Sequence, residues 1–115
     1  MGILDVLFAK NHIDLNNDEL RELLKDKDNY QFVDVRTKPE YKHKRIKEFN
    51  KNIDFYKFGR NLDMLARISK DKPVVVMCQT GSRSGATCNM LHKLGFAKIY
   101  NLKRGINGWN GPTTK

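Results

Sequence analysis

Residues 74–85 read Val-Val-Val-Met-Cys-Gln-Thr-Gly-Ser-Arg-Ser-Gly, an apolar run that stops at a cysteine and gives way to glycine and hydroxyl residues. Four consecutive apolar residues behind Pro73, closed by a Gly/Ser segment, are the pattern of a fully buried strand. From Ser84 onward the period changes: Ala86, Met90, Leu91 and Leu94 recur at helical spacing as far as Gly95, a residue suited to ending a helix. Cys78 therefore falls between the end of a strand and the start of a helix. The first turn of a helix leaves backbone N–H groups unpaired and carries partial positive charge, so an anionic sulfur is favoured there. Gly81 lets the loop take a positive φ or approach a ligand closely, which allows the amides of residues 79–83 to curl around the sulfur. Arg83 adds a full positive charge, and the setting as a whole favours the nucleophilic thiolate.

The segment Cys78-Gln79-Thr80-Gly81-Ser82-Arg83 resembles the active-site loop of single-domain rhodaneses, sulfurtransferases that carry a persulfide on cysteine. Phe32-Val33-Asp34-Val35-Arg36 with Pro39-Glu40-Tyr41 is similar to that family's first signature. Residues 99–109, Ile-Tyr-Asn-Leu-Lys-Arg-Gly-Ile-Asn-Gly-Trp, are similar to its C-terminal one. The three segments come in the family's order and cover most of residues 30–109. The resemblance implies an α/β, rhodanese-like three-layer fold: a central five-stranded parallel sheet with helices on both faces. It implies Cys78 as the catalytic residue, Gln79, Thr80, Gly81, Ser82 and Arg83 as the substrate-binding loop, and Asp34 and Arg36 near the mouth of the site. For Arg36 an ion-paired structural role is an equal expectation. One segment departs from the family pattern. Where the family often has Gly-His-Ile and a Pro-Gly-Ala-like turn, this chain has Lys44-Arg45-Ile46 followed by Lys47-Glu48-Phe49.

A chain of 115 residues is enough for one modest core, and the expected organisation is a single domain over 1–115, with 1–11 as an N-terminal extension and a core of about 12–110. The net charge of +9, from 22 basic and 13 acidic residues, favours anionic ligands or partners as well as solubility. Two cysteines with no visible secretory leader point to a reducing compartment, with the cytoplasm as the default. No apolar run approaches the ~18 residues that span a bilayer, so no membrane association is expected. The basic stretch 42–47, Lys-His-Lys-Arg-Ile-Lys, lacks interleaved aromatics and reads as a solvated loop, not a nucleic-acid surface.

In chain order, residues 1–10 suggest a short amphipathic turn packing on the domain edge, and Ile13 to Leu15 a first strand. Asn16, Asn17 or Asp18 then caps a helix that carries Leu20, Leu23 and Leu24. Phe32, Val33 and Val35 mark a second strand, in which the Asp34 carboxylate must find a partner or reach water. Ile53, Phe55 and Tyr56 suggest a third strand, and Leu62, Leu65, Ala66 and Ile68 a helix. Val74 to Met77 is the fourth strand. Ile99, Tyr100 and Leu102 form the fifth, with 105–109 as a closing turn. Strands alternating with helices give a parallel sheet whose ligands bind at the carboxyl ends of the strands, and Cys78 is at such an end.

His12, His43 and His92 are scattered, so no zinc site is expected, nor is any organic cofactor. Cys88 lacks C-x-x-C spacing to Cys78 and suits a small packed residue; Trp109 suits packing of the C-terminal turn. The leading functional expectation is sulfur transfer from a small anionic, thiosulfate-like donor to a thiol or protein acceptor, by a chain that is a monomer by default. Two other classes fit parts of the pattern: a cysteine-dependent phosphatase or arsenate reductase, and a non-catalytic regulatory module of rhodanese-like fold. Loop length separates the first, because four residues lie between Cys78 and Arg83 where phosphatase loops resemble Cys-x5-Arg.

Overall fold

The computed structural model of the chain describes residues 12–57 and 68–115. Among these, the Val74–Met77 run forms a strand buried at every position, and the rest of the sheet is built around it. In chain order the elements are β1 (Ile13–Leu15), α1 (Asn17–Lys25), β2 (Gln31–Asp34), α2 (Lys38–His43), β3 (Lys51–Asn52), β4 (Val74–Met77), α3 (Ser82–Lys93) and β5 (Ile99–Leu102). Short 3-10 turns lie at Lys27–Asn29, Phe55–Lys57 and Ile106–Gly108. The five strands are ordered β1-β5-β4-β2-β3, and all four pairings are parallel. The sheet thus has the expected α/β, three-layer form. β4 lies at its centre, between β2 and β5.

Alternation along β4 sends Val74, Val76 and Cys78 to one face and Val75 and Met77 to the other, because successive side chains of a strand point in opposite directions. The first set packs with Val33, Val35, Ile53, Ile68, Phe96 and Ile99 under Cys88 and Leu91 of α3. The second packs with Leu15, Phe32, Phe49, Leu102, Ile106 and Trp109 against Leu20 of α1. Burial of both faces explains why β4 reads as a continuous apolar run with no polar alternation.

The helix termini follow the sequence closely. Asn16 caps α1, accepting from the Glu19 amide at 2.8 Å while Glu19 accepts from the Asn16 amide at 2.9 Å. Thr37 and Glu40 make the same reciprocal box at the start of α2. Gly95, just past the end of α3, has φ +99°, the left-handed conformation that ends helices.

Two expectations change. The third strand is Lys51–Asn52, paired with Val33 and Asp34, whereas Phe55 and Tyr56 lie in a 3-10 turn. Apolar content at 53–56 reports packing against the α3-side core, which holds Ile53 and Phe55; the pairing itself is made by polar residues at the sheet edge. The 42–47 stretch is also less uniform than a solvated loop. Lys42 and His43 end α2, Ile46 is fully buried, as is Phe49 just beyond the stretch, and Arg45 stacks over Tyr41 at 4.9 Å while its backbone pairs with Thr114. The helix expected through Leu62, Leu65 and Ala66, and the turn expected in 1–10, lie outside the described residues. Trp109 packs as expected, with its indole N–H donating to the Pro112 carbonyl at 3.1 Å.

Candidate functional site

The end of β4 and the start of α3 place Cys78 where the sequence expects it, fully buried. Its Sγ accepts from the Gly81 amide at 3.0 Å and from the Ser84 hydroxyl at 3.3 Å. Gly81 caps α3 with φ +104°. A Cβ there would fall 2.0 Å from the Lys103 carbonyl oxygen, so close approach and a left-handed backbone both require glycine. The loop is also braced from the C-terminal turn. Ile106 N–H donates to the Cys78 carbonyl at 2.9 Å and Asn107 N–H to the Gln79 carbonyl at 3.0 Å. Gly105, at φ +62°, lies against the same peptide, where a Cβ would meet Cys78 O and Gln79 C at 2.5 Å. The resemblance of residues 99–109 to a family signature thus has a physical basis: this turn holds the cysteine loop in place.

The side chains of the loop divide into two groups. Thr80 and Ser82 are exposed, with their hydroxyls 3.5 Å apart. Gln79 is half-buried and turned toward the scaffold, donating to Asn107 Oδ1 and accepting from Arg36 at 3.4 Å. Arg83 does not stand as a free charge. Its terminal nitrogens meet both carboxylate oxygens of Glu40 at 2.9 Å each, and its guanidinium lies 5.6 Å from the centre of the exposed Tyr56 ring. Glu40 is held down to about 2 from the usual 4.5, first by this hydrogen bond to Arg83. The Arg83 pKa is raised, first by the same bond and further by the charge of Cys78.

Asp34 and Arg36 come together as a buried pair. Arg36 Nη2 lies 2.8 Å from Asp34 Oδ2, and the Arg36 amide and Nε also donate to the carboxylate. The remaining guanidinium donors reach the carbonyls of Glu40 and Lys44. The structural expectation for Arg36 describes this geometry: it ties β2 to α2, and through Gln79 to the cysteine loop.

Three residues of the site went unrecognised in the sequence. Glu40 was visible only as part of a resembling segment, and nothing local announces that it pairs with a residue 43 positions away. Ser84 looked like the first turn of a helix. Asn101 reads as a polar interruption of β5, and that buried interruption, Ile-Tyr-Asn-Leu, was the available signal. Cys88 is fully buried in α3, and its thiol is pushed up to about 12, chiefly by desolvation and then by the charges of Asp14 and Cys78. A thiol in that state is a packed apolar group at neutral pH, not a nucleophile.

The Glu40–Arg83 pair has a measurable signature. A carboxyl whose folded pKa lies below its unfolded value contributes stability that is complete above about 4.5 and is lost as the pH falls toward about 2. Glu40→Gln keeps the capping geometry but lacks this contribution. Denaturant midpoints of the two proteins should differ most above pH 4.5 and converge by about pH 2; a gap independent of pH would contradict the pairing.

The chain also matches known proteins in sequence and fold. The family model described as Rhodanese-like domain matches residues 16–112. A sulfurtransferase from Allochromatium vinosum is 29% identical over 98 residues, which cover 84% of this chain and 86% of that protein. Thiosulfate sulfurtransferase GlpE from Actinobacillus pleuropneumoniae is 38% identical over 52 residues, 45% of each chain. The match thus spans under half the length of several curated relatives. Among solved structures, a rhodanese-related protein from Thermoplasma volcanium superposes with a TM-score of 0.75 at 26% identity, covering 90% of this chain and 98% of that one. Among the described residues no helix is long and apolar enough to cross a membrane.

Proposed function

The chain belongs to the rhodanese-like domain family, and from that premise we propose that it is a sulfurtransferase whose sulfur carrier is Cys78. The observation that carries this reading is the pair of donors on one sulfur, the Gly81 amide at 3.0 Å and the Ser84 hydroxyl at 3.3 Å, at the start of α3. Donors fixed in place before reaction stabilise an anion without reorganisation. The names of relatives such as the Allochromatium vinosum sulfurtransferase agree with this class of chemistry.

The reaction runs in two halves. In the first, the Cys78 thiolate attacks the outer sulfur of a thiosulfate-like donor; the Sγ–S bond forms, the donor's S–S bond breaks, and sulfite leaves with the bonding pair. In the second, an acceptor nucleophile takes the outer sulfur and the electron pair of the Sγ–S bond returns to Cys78. Cyanide serves as acceptor in an assay, and a thiol or protein fills that role in the cell. Arg83 is the anchor for the donor's sulfonate. Glu40 takes one N–H from each terminal nitrogen, and a guanidinium carries five such donors, so others remain for an anionic oxygen. Glu40 thereby fixes the direction of the fork at the cost of part of its charge.

Loop length separates this reading from phosphate ester hydrolysis. With four residues between Cys78 and Arg83, the loop encloses a sulfur atom more readily than a tetrahedral oxyanion. Parallel assays with thiosulfate plus cyanide and with an aryl phosphate test this directly. Thiocyanate formation with negligible phosphate release is expected; Cys78-dependent phosphatase turnover equal to or above sulfurtransfer would overturn the proposal.

A further inference from the structure

The Ser84 hydroxyl has one hydrogen and three acceptors around it: Asn101 Oδ1 at 2.5 Å, Gly81 O at 3.1 Å and Cys78 Sγ at 3.3 Å. Ser84 is fully buried, so no water competes for that hydrogen. The orientation of Asn101 is set from its other side. Its Nδ2 donates to the Asp14 carboxylate at 3.1 Å, and a carboxylate can only accept, so Oδ1 must face Ser84. His12 Nε2 lies 3.2 Å from the same Asp14 oxygen. Residues from β1, β5 and α3 therefore converge in a polar chain that runs from the partly exposed Asp14 through the buried Asn101 and Ser84 to the candidate carrier sulfur, and in its buried stretch each bond has a large effect.

A hydroxyl in this setting has two useful positions. While Sγ is bonded to another sulfur it is a weak acceptor, and the hydrogen belongs on Asn101. When the Sγ–S bond breaks, Sγ becomes a thiolate, and a charged acceptor binds a hydrogen about twice as strongly as a neutral one. The hydrogen then turns to the sulfur. We propose that Ser84 is a catalytic hydrogen-bond donor that stabilises the Cys78 thiolate as it leaves the persulfide, and that Asn101, oriented by Asp14, is the positioning residue that sets how readily the hydroxyl turns. The inference rests on the sulfurtransferase reading and deepens it.

The electron count fixes the sign of the effect. Loading is Cys78–S⁻ plus thiosulfate (S–SO₃²⁻) giving Cys78–S–S⁻ plus sulfite (SO₃²⁻), and total charge is unchanged. A bond made to Sγ only when Sγ is a free thiolate favours the left side. Removing that bond favours the persulfide, and removing the competitor for its hydrogen favours the thiolate.

The test uses the full chain, equilibrated at a fixed ratio of thiosulfate to sulfite, with the persulfidated fraction read by intact-protein mass spectrometry. Ser84→Ala is expected to raise the loading equilibrium constant about tenfold and to slow sulfur release to cyanide more than sulfur uptake, since loss of one hydrogen bond to a charged group is of this order. Asn101→Val, a strand-compatible replacement, is expected to lower the loading constant several-fold, because with Asn101 Oδ1 gone only the neutral Gly81 carbonyl competes with the Cys78 thiolate for the hydrogen. The opposite signs are the signature, because damage to the fold would depress both half-reactions in both variants without moving the equilibrium in two directions. Should one variant fail to fold, the sign of the other still decides. An unchanged constant in both, or a shift of the same sign in both, overturns the proposal while the sulfurtransferase reading stands. A wild-type protein that takes up no sulfur overturns both.

Discussion

Cys78→Ser is expected to abolish thiosulfate:cyanide sulfurtransfer, a loss on the order of 10⁴-fold or more, since a reaction that passes through a covalent intermediate has no route once its nucleophile is removed. Serine keeps the size and the local hydrogen bonds, so the variant should fold and unfold like the wild type. Cys88→Ser is the matched control. Cys88 is fully buried with its thiol pushed up to about 12, so its replacement should leave most of the activity and cost only the modest stability of a buried apolar group exchanged for a hydroxyl. Turnover and denaturant unfolding measured on both variants check the pair of statements, and comparable losses of turnover in the two would contradict the assignment of a single nucleophile.

The second large effect is expected at Gly81. Alanine there must adopt φ +104°, with its Cβ 2.0 Å from the Lys103 carbonyl oxygen. A strained non-glycine residue of this kind costs ~1–3 kcal/mol, and the contact is with backbone, so the loop and not a side chain has to move. The amide that moves is the one donating to Sγ. A displacement of about 1 Å at a reacting group costs on the order of 10²-fold in rate, so Gly81→Ala should combine a lower unfolding midpoint with a fall of about that size in kcat/KM. Gly85, one turn into α3, has nothing within 4 Å of a Cβ, and its alanine variant should be neutral or stabilising. Equal behaviour of the two glycine variants would show that the loop does not depend on the close approach at Gly81.

How much of this was legible in the sequence depends on the range of the interaction responsible. The strand ending at Cys78, the helix behind it and the glycine between them are local patterns, and β4, α3 and the φ of Gly81 follow them. Asn16 as a cap is equally local, whereas the helix Lys38–His43 and its Thr37 cap went unread although the Thr-x-x-Glu pattern is local too. The third strand was misplaced because apolar content was the only cue, and in an edge strand that cue points to the core contact of Ile53 and Phe55, not to the backbone pairing of Lys51 and Asn52. The partners of the site are non-local. Arg83 meets Glu40 across 43 positions, and Asn101 meets Asp14 across 87, so neither a free Arg83 nor a plain strand asparagine could be corrected before the sheet was assembled. The basic stretch 42–47 hid its buried Ile46 behind its charge for the same reason: charge reports the solvent side of a segment, and packing decides the other.

Sulfur transfer by this chain, as proposed, requires the sulfur atom to reside on Cys78. The most direct measurement is mass spectrometry of the intact protein after exposure to thiosulfate, followed by peptide mapping of the adduct and a chase with cyanide. One added sulfur, mapped to Cys78, absent in Cys78→Ser and removed by cyanide as thiocyanate, is the predicted result. No adduct at all, or an adduct carried by Cys88, would contradict it.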